Sequence, residues 1–339
     1  MGRGLRIATY NVEWFNALFD DRGRLLADEE PSARYEITRR QQIEALGIVF
    51  TALDADAVMV IEAPDQGSRR STPRALETFA RSVGLRARRA VIGFASGTEQ
   101  EIALLYDPDR ITARHDPQAS ARAPRFDEVF HFDIDIDATP EAIRFSKPPL
   151  ELAVTADGHP LRLIGVHAKS KAPHGARTPA EAVRIAIQNR RQQLAECVWI
   201  RRRVEAILAD RQALIVMGDF NDGPGLDEYE KLFGHSGIEI VMGLDGGSES
   251  VLHDPHARMA LTRKLGVTPA SARFWLAPQQ QYFDALLDFI MLSPDLAAKA
   301  PRWRIWHPLN DPTSFRTPEL KEALLQASDH FPVTLDIEL

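Results

Sequence analysis

The chain is punctuated by short apolar runs of two different periods. Residues 7–12 read as a first strand. Ile43, Leu46, Phe50 and Leu53 recur at helical spacing and lead into a second, apolar strand over 57–61 that ends at Glu62. Leu76, Phe79, Ala80 and Val83 mark another helix, and 101–106 another strand. Over 126–136, Phe126, Phe130, Phe132, Ile134 and Ile136 keep a period of two, which predicts one strand. A strand over 161–167 precedes a long helix around 181–208, whose predicted inward face carries Val183, Ile187, Leu194, Val198, Val204 and Leu208. Strand 214–217 runs into Gly218-Asp219-Phe220-Asn221. Late strands are predicted over 286–292 and 332–339, the second alternating Val333, Leu335 and Ile337 against Thr334, Asp336 and Glu338.

Strands and helices are interspersed without pairing one to one, which predicts an α/β fold with mixed sheets. No repeat, low-complexity tract or Pro/Gly/Ser linker divides the sequence, so residues 1–339 read as a single domain. Long polar insertions at 13–35, 64–74, 170–180 and 244–280 follow strand ends, where binding and catalytic groups concentrate. None of them shows the exposed aromatic tip that a lipid-acting enzyme needs.

Composition narrows the classes. With 44% hydrophobic and 26% charged residues, the chain can build a large core and is not of the disordered type. A formal net charge of −7 disfavours a protein that only binds nucleic acid, while leaving room for an enzyme with a local basic cleft. Cys197 is the single cysteine, expected as a small buried residue, so neither an intrachain disulfide nor a cysteine metal cluster is available. No apolar run reaches membrane-span length and no signal core precedes the first strand, so the cytoplasm is the expected compartment, with no membrane and no obligate protein partner implied.

Five stretches place polar or ionisable residues at the ends of apolar strands: Thr9-Tyr10-Asn11, Val60-Ile61-Glu62, 165–171 with His167, Lys169 and Lys171, 216–222 with Asp219 and Asn221, and Leu287-Asp288-Phe289 with Ser328-Asp329-His330-Phe331-Pro332. Singly, each has a structural explanation as a cap or turn residue. As a set they match what phosphodiester hydrolysis requires. A hard divalent cation takes carboxylate and amide oxygens. A carboxylate can relieve water of a proton. Imidazole, amide or ammonium donors stabilise the charge that grows on phosphorus.

In its order, this series resembles the endonuclease/exonuclease/phosphatase superfamily, which includes deoxyribonuclease I, exonuclease III-type abasic-site endonucleases, inositol polyphosphate 5-phosphatases and bacterial sphingomyelinases. The resemblance spans Asn11 to His330 and implies a four-layer α/β sandwich, with two face-to-face mixed β-sheets flanked by helices. It implies a Mg²⁺-dependent phosphodiester hydrolase, with Mn²⁺ able to substitute, and a nucleic acid, DNA first, as substrate. Glu62 would hold the metal with Asn11 and Asp329. Asp219 would position and deprotonate water, Asn221 and His167 would contact the scissile phosphate, and His330 would act in the transition state. The resemblance leaves open whether Asp288 or Asp329 supports the His330 ring.

Departures refine this. Ile61 stands where the nucleases usually have Gln, and His167-Ala168-Lys169-Ser170-Lys171 replaces the Tyr-x-Pro-Asn of abasic-site enzymes. The His-x-Lys-Ser-Lys form resembles a bacterial nuclease branch, which makes Lys169 and Lys171 candidates for contacting neighbouring phosphates. Arg190, Arg191 and Arg201–Arg203 are either a solvated basic face or further contacts. Trp14 and Phe15 are either core residues or base-stacking ones. Alternatives are a phosphatase or sphingomyelinase-like activity on inositol phosphates or lipid head groups, and an inactive scaffold. A calcineurin-like enzyme lacks its Asp-x-His and Gly-Asn-His motifs here.

Overall fold

The structure is a computed structural model, and it describes every residue except 1–3, 99, 134–139, 174, 224–233, 245–246, 248–249, 263–267 and 277–279. The chain opens with β1 (Leu5–Asn11), then α1 (Arg39–Leu53), β2 (Ala57–Ala63), α2 (Thr72–Ser82), β3 (Arg89–Ile92), β4 (Glu101–Tyr106) and β5 (Ile111–His115). A short hairpin, β6 (Phe130–Phe132) and β7 (Glu141–Ile143), leads to β8 (Leu150–Ala156), β9 (His159–His167), α3 (Pro179–Ala209) and β10 (Leu214–Asp219). Helices α4 (Gly237–Met242) and α5 (Pro255–Leu261) precede a second hairpin, β11 (Ala272–Leu276) and β12 (Gln281–Ala285), and then β13 (Asp288–Leu292). The C-terminal part holds α6 (Pro294–Ala297), β14 (Arg302–Ile305), α7 (Pro312–Arg316), α8 (Pro318–Ala327) and β15 (Val333–Ile337).

Six strands form one sheet in the order β14-β15-β1-β2-β4-β3, and five form the other in the order β13-β10-β9-β8-β5. Each sheet has one parallel pair, β1 with β2 and β9 with β10, and in both the connection contains a long helix, α1 or α3. The antiparallel partners β15 and β13 then flank these pairs. Period-two alternation packs the sheets together. Ile7, Met59, Leu163, Met217, Ile290 and Leu335 belong to the inner core between them. Tyr10, Val60 and Leu105 face outward onto α1, α2 and α8, while Val166, Val216 and Phe289 face outward into the core that includes α3 and α4. The result is the four-layer α/β sandwich with mixed sheets.

Approach of the sheets is close enough to demand glycine. A Cβ on Gly165 would lie 2.5 Å from the Met59 sulfur. Cys197 is buried, as expected. No helix among the described residues is long and apolar enough to cross a membrane.

Two predicted elements differ. Among the described residues of the predicted 126–136 strand, only Phe130–Phe132 is a strand, because Phe126 and Phe130 owe their spacing to packing against Trp199 of α3, at 5.9 and 5.1 Å; Ile134 and Ile136 lie outside the described residues. The inward face of α3 is also rotated. Val183 is 47% exposed, while Arg190, Gln193 and Glu196 are buried beside Leu194, Cys197 and Val204. Among the arginines, Arg190 pairs with Asp222, Arg201 with Glu205 and backbone carbonyls, Arg203 with Glu151, and Arg191 with Glu141, while Arg202 lies over the Phe130 and Phe132 rings. The basic residues are thus held within the protein's own packing.

Candidate active site

Strand alternation assembles the site. The row of inner-facing positions ends at Asn11 on β1, His167 on β9 and Asp219 on β10, and begins at Asp288 on β13. Asp219 lies directly between His167 and Asp288 in the sheet register. On β9, β10 and β13 the polar residue ends the inner row, and on β1 Thr9 and Asn11 follow Leu5 and Ile7, so the core between the sheets closes in a chemical site.

Glu62 arrives by a different route. Ile61 faces inward and Ala63 outward, and the β2–β4 register shifts between them, leaving Glu62 as an extra residue at φ 60°. Such a bulge re-aims a side chain, and Glu62 Oε1 comes 3.9 Å from His167 Nε2. Trp14 and Asn221 also hold left-handed backbone, at φ 59° and 49°. Non-glycine residues in this region are costly and cluster at functional sites. Gly218, at φ 141°, lets the chain pass Val166, whose carbonyl oxygen would lie 2.0 Å from an added Cβ. This explains the glycine of Gly-Asp-Phe-Asn.

Asp219 is the centre of the hydrogen-bonding. Its Oδ1 accepts from the Asn221 backbone N–H at 2.7 Å, and its Oδ2 accepts from Asn11 Nδ2 at 2.9 Å and Asn221 Nδ2 at 3.3 Å. Asn221 reaches Asp219 through the turn after β10 rather than by continued strand alternation, and it also donates to the Ala168 carbonyl at 3.0 Å. Burial pushes the Asp219 carboxyl up to about 7, against the opposing pull of His330.

The two histidines are shifted in opposite directions. His330 Nε2 lies 4.0 Å from Asp219 Oδ2, and its Nδ1 is 2.7 Å from Asp288 Oδ2. Burial lowers its basicity, but Asp288 and Asp219 together outweigh burial and hold the ring well above its usual value. Asp288 is therefore the ring's support, and Ser271 Oγ donates to the same carboxylate at 2.8 Å. Phe274 packs edge-on against the ring at 5.6 Å. His167 is driven the other way, well below its usual value, by burial and then by the charges of Lys147 and His330.

Lys147 had no signal in the sequence, since a lone lysine before Pro148-Pro149 lies outside any periodic element. Its Nζ is 3.1 Å from His167 Nε2. Burial lowers its affinity for a proton, while Glu62 and Asp219 raise it. As a donor it faces a neutral imidazole, which places the His167 proton on Nδ1, a buried atom with no partner.

A carboxylate group flanks Glu62. Burial pushes Glu13 up to about 7, with Asp329 adding to the effect and Arg34 opposing it. Burial likewise raises Glu62, with Lys147 and His330 opposing and Asp329 reinforcing. The Asn11 Oδ1 atom is buried and has no partner. An acidic cluster with an orphaned amide oxygen fits a hard divalent cation. Asp219, Asp288 and His330 also offer ligand atoms within 4.8 Å of one another. There, Asp288 Oδ2 is already engaged by His330 Nδ1 at 2.7 Å and by the Ser271 hydroxyl, which leaves Asp288 Oδ1, a buried atom with no partner, as the oxygen open to an ion.

The lysines separate. Lys169 is partly buried and its charge acts on Lys147 and Glu196. Lys171, the other expected phosphate contact, has its Nζ 2.7 Å from Asp222 Oδ1, a fully buried carboxylate shared with Arg190. Phe15 is a core residue and Trp14 is 49% exposed. The 244–280 insertion and the residues after it hold the β11–β12 hairpin. Its Trp275, Tyr282 and Phe283 are 53%, 58% and 40% exposed, so an aromatic surface is present after all.

No protein-family model and no curated protein matches the chain. Solved structures share its architecture. Truncated Caenorhabditis elegans TDP2 superposes with a TM-score of 0.53 at 13% identity, covering 99% of this chain and 98% of its own. An AP endonuclease from Archaeoglobus fulgidus gives 0.52 at 12% identity, covering 99% and 100%. An endonuclease/exonuclease/phosphatase from Bacteroides vulgatus gives 0.50 at 14%, covering 100% of both chains. At these identities the likeness shows the fold, and function must be argued from the site.

Proposed function

We propose that this chain, which has the fold of the endonuclease/exonuclease/phosphatase proteins, is a divalent-cation-dependent phosphodiesterase acting on nucleic acid. The supporting observation is the grouping of Asp219 between His330, at 4.0 Å and shifted toward the protonated form, and His167, at 3.8 Å and shifted away from it. Asp219, with its carboxyl near 7, is matched to taking a proton from water at neutral pH. His330, oriented by Asp288, presents an N–H to a phosphoryl or leaving oxygen that gains charge. Lys147 supplies a fixed donor on the opposite side, oriented by His167 Nε2, and Asn221 holds Asp219 in place. Glu62, Asn11, Asp329 and Glu13 are the residues that would hold Mg²⁺ or Mn²⁺. When bound, the ion would neutralise phosphate oxygens. Lys169 is the candidate contact for a flanking phosphate.

The test is hydrolysis by EDTA-treated protein, with and without Mg²⁺ or Mn²⁺, of single- and double-stranded DNA, RNA, bis(4-nitrophenyl) phosphate, inositol phosphates and sphingomyelin vesicles. Cleavage of nucleic acids only with added cation supports the reading. Equal hydrolysis in EDTA, or none of any ester, defeats it. The aromatic hairpin next to His330 favours a second reading, a phosphodiesterase for lipid head groups. In that case vesicle hydrolysis exceeds that of DNA, and Trp275→Ala abolishes it.

A further inference from the structure

Two buried glutamines, one on each long helix, tie together the strand-end loops that carry the site. Gln193 of α3 is fully buried. Its Nε2 donates to the carbonyl oxygens of Lys169 at 2.8 Å, Phe220 at 3.2 Å and Asn221 at 3.0 Å, while its Oε1 accepts from Arg190 at 2.9 Å. The first of these carbonyls lies two residues after His167, and the others lie one and two residues after Asp219. Gln42 of α1 is fully buried as well. Its Nε2 donates to the carbonyls of Glu13 and Ala327, both at 3.0 Å. Glu13 lies two residues after Asn11, and Ala327 precedes Ser328-Asp329-His330. The Ser328 hydroxyl continues that tie, donating to the Asn11 carbonyl at 2.9 Å and accepting from Glu13 N–H at 3.1 Å.

Each amide thus acts within its own sheet, on the two loops its helix covers. Satisfying loop carbonyls would by itself be ordinary housekeeping for buried polar groups. These carbonyls, however, belong to residues of the candidate machinery or to their direct neighbours, and small displacements of such groups are costly to a reaction.

We propose that Gln193 and Gln42 are positioning residues with separate tasks. Gln193 sets His167, Asp219 and Asn221 against one another, and Gln42 sets the Asn11–Glu13 segment against Asp329 and His330. The inference rests on the phosphodiesterase reading. It predicts a division that a purely structural role would not produce. Gln193→Met should lower kcat on bis(4-nitrophenyl) phosphate by roughly 10- to 100-fold, while Mn²⁺ affinity, read by calorimetry on the free protein, stays within about twofold of wild type. Gln42→Met should weaken Mn²⁺ binding about tenfold or more and regain much of its kcat at saturating metal.

Thermal unfolding of each variant accounts for the folded fraction. If Gln193→Met does not fold, Gln193→Glu replaces it. That side chain keeps the shape and donates only when protonated, so its kcat relative to wild type should fall as pH rises. An active wild type whose Gln193 variants keep wild-type kcat, or whose two Met variants lose kcat and Mn²⁺ affinity in equal measure, overturns the positioning claim alone. A wild type inactive on every ester overturns the phosphodiesterase reading and this inference with it.

Discussion

Asp288→Asn tests the His330 assignment most directly. The native contact is a buried 2.7 Å hydrogen bond between Asp288 Oδ2 and His330 Nδ1. The amide replacement is nearly isosteric and can still accept from Ser271, so the fold should survive. What disappears is the carboxylate charge that, with Asp219, holds the ring protonated against burial. A hydrogen bond to a charged partner contributes roughly 1.5–3 kcal/mol. Since 1.36 kcal/mol corresponds to one pKa unit, the His330 value should fall by about 1–2 units. If His330 acts as the cation, kcat/KM should fall roughly 10- to 150-fold.

The direction in pH follows from the same contact. A histidine whose folded-state value is raised loses its charge as pH climbs through that folded value. His330 should therefore set the alkaline limb of the pH–rate profile, and Asp219, which must be ionised to accept a proton, should set the acidic limb near 7. In Asp288→Asn the alkaline limb should move to lower pH, and the acidic limb should move down by less, because the Asp288 charge is only a lesser cause of the raised Asp219 value. Stability supplied by the His330 charge is fully present below the unfolded histidine value and is lost as pH rises through the folded one. The variant should thus lose its stability difference from wild type at high pH. The assay is bis(4-nitrophenyl) phosphate hydrolysis from about pH 5 to 10 at saturating cation. An unchanged alkaline limb with a rate within about threefold of wild type would refute the assignment.

Four further outcomes are expected. Glu62→Gln should raise the Mg²⁺ concentration for half-maximal rate by about tenfold or more, seen in cation titrations after EDTA treatment. Lys169→Ala should weaken binding to DNA of every sequence and reduce its salt slope by roughly one unit. Lys171→Met should instead lower stability by roughly 1–3 kcal/mol in urea unfolding, because Asp222 loses one of the two cations that pair with it among the described residues. Gly218→Ala should cost more than about 3 kcal/mol or prevent folding, since its Cβ would meet a backbone carbonyl and its φ suits glycine alone.

The parts of the site legible in the sequence are those where an apolar strand row ends in a polar residue. Asn11, His167, Asp219 and Asp288 occupy the positions where the next inner-facing apolar residue would stand. Period-two reasoning therefore finds both their strand and their direction. Glu62 was visible as a carboxylate after a strand, but alternation alone would aim it at the outer helices, and only the bulge turns it inward. Lys147 has no periodic context at all.

The misread helix face shows why the rest was hidden. Hydrophobic periodicity treats a polar residue as exposed, so on α3 it favoured Val183 over Gln193. Burial there is decided by partners far along the chain: loop carbonyls for Gln193, Asp222 for Arg190, and the Lys169 backbone N–H for Glu196 at 2.8 Å. A buried polar side chain is stable only when such partners are in place. The partners here are the loops that carry the site. The helix positions hardest to read from sequence are therefore the ones that hold those loops, and the long helices bind the site as much as they cover the sheets.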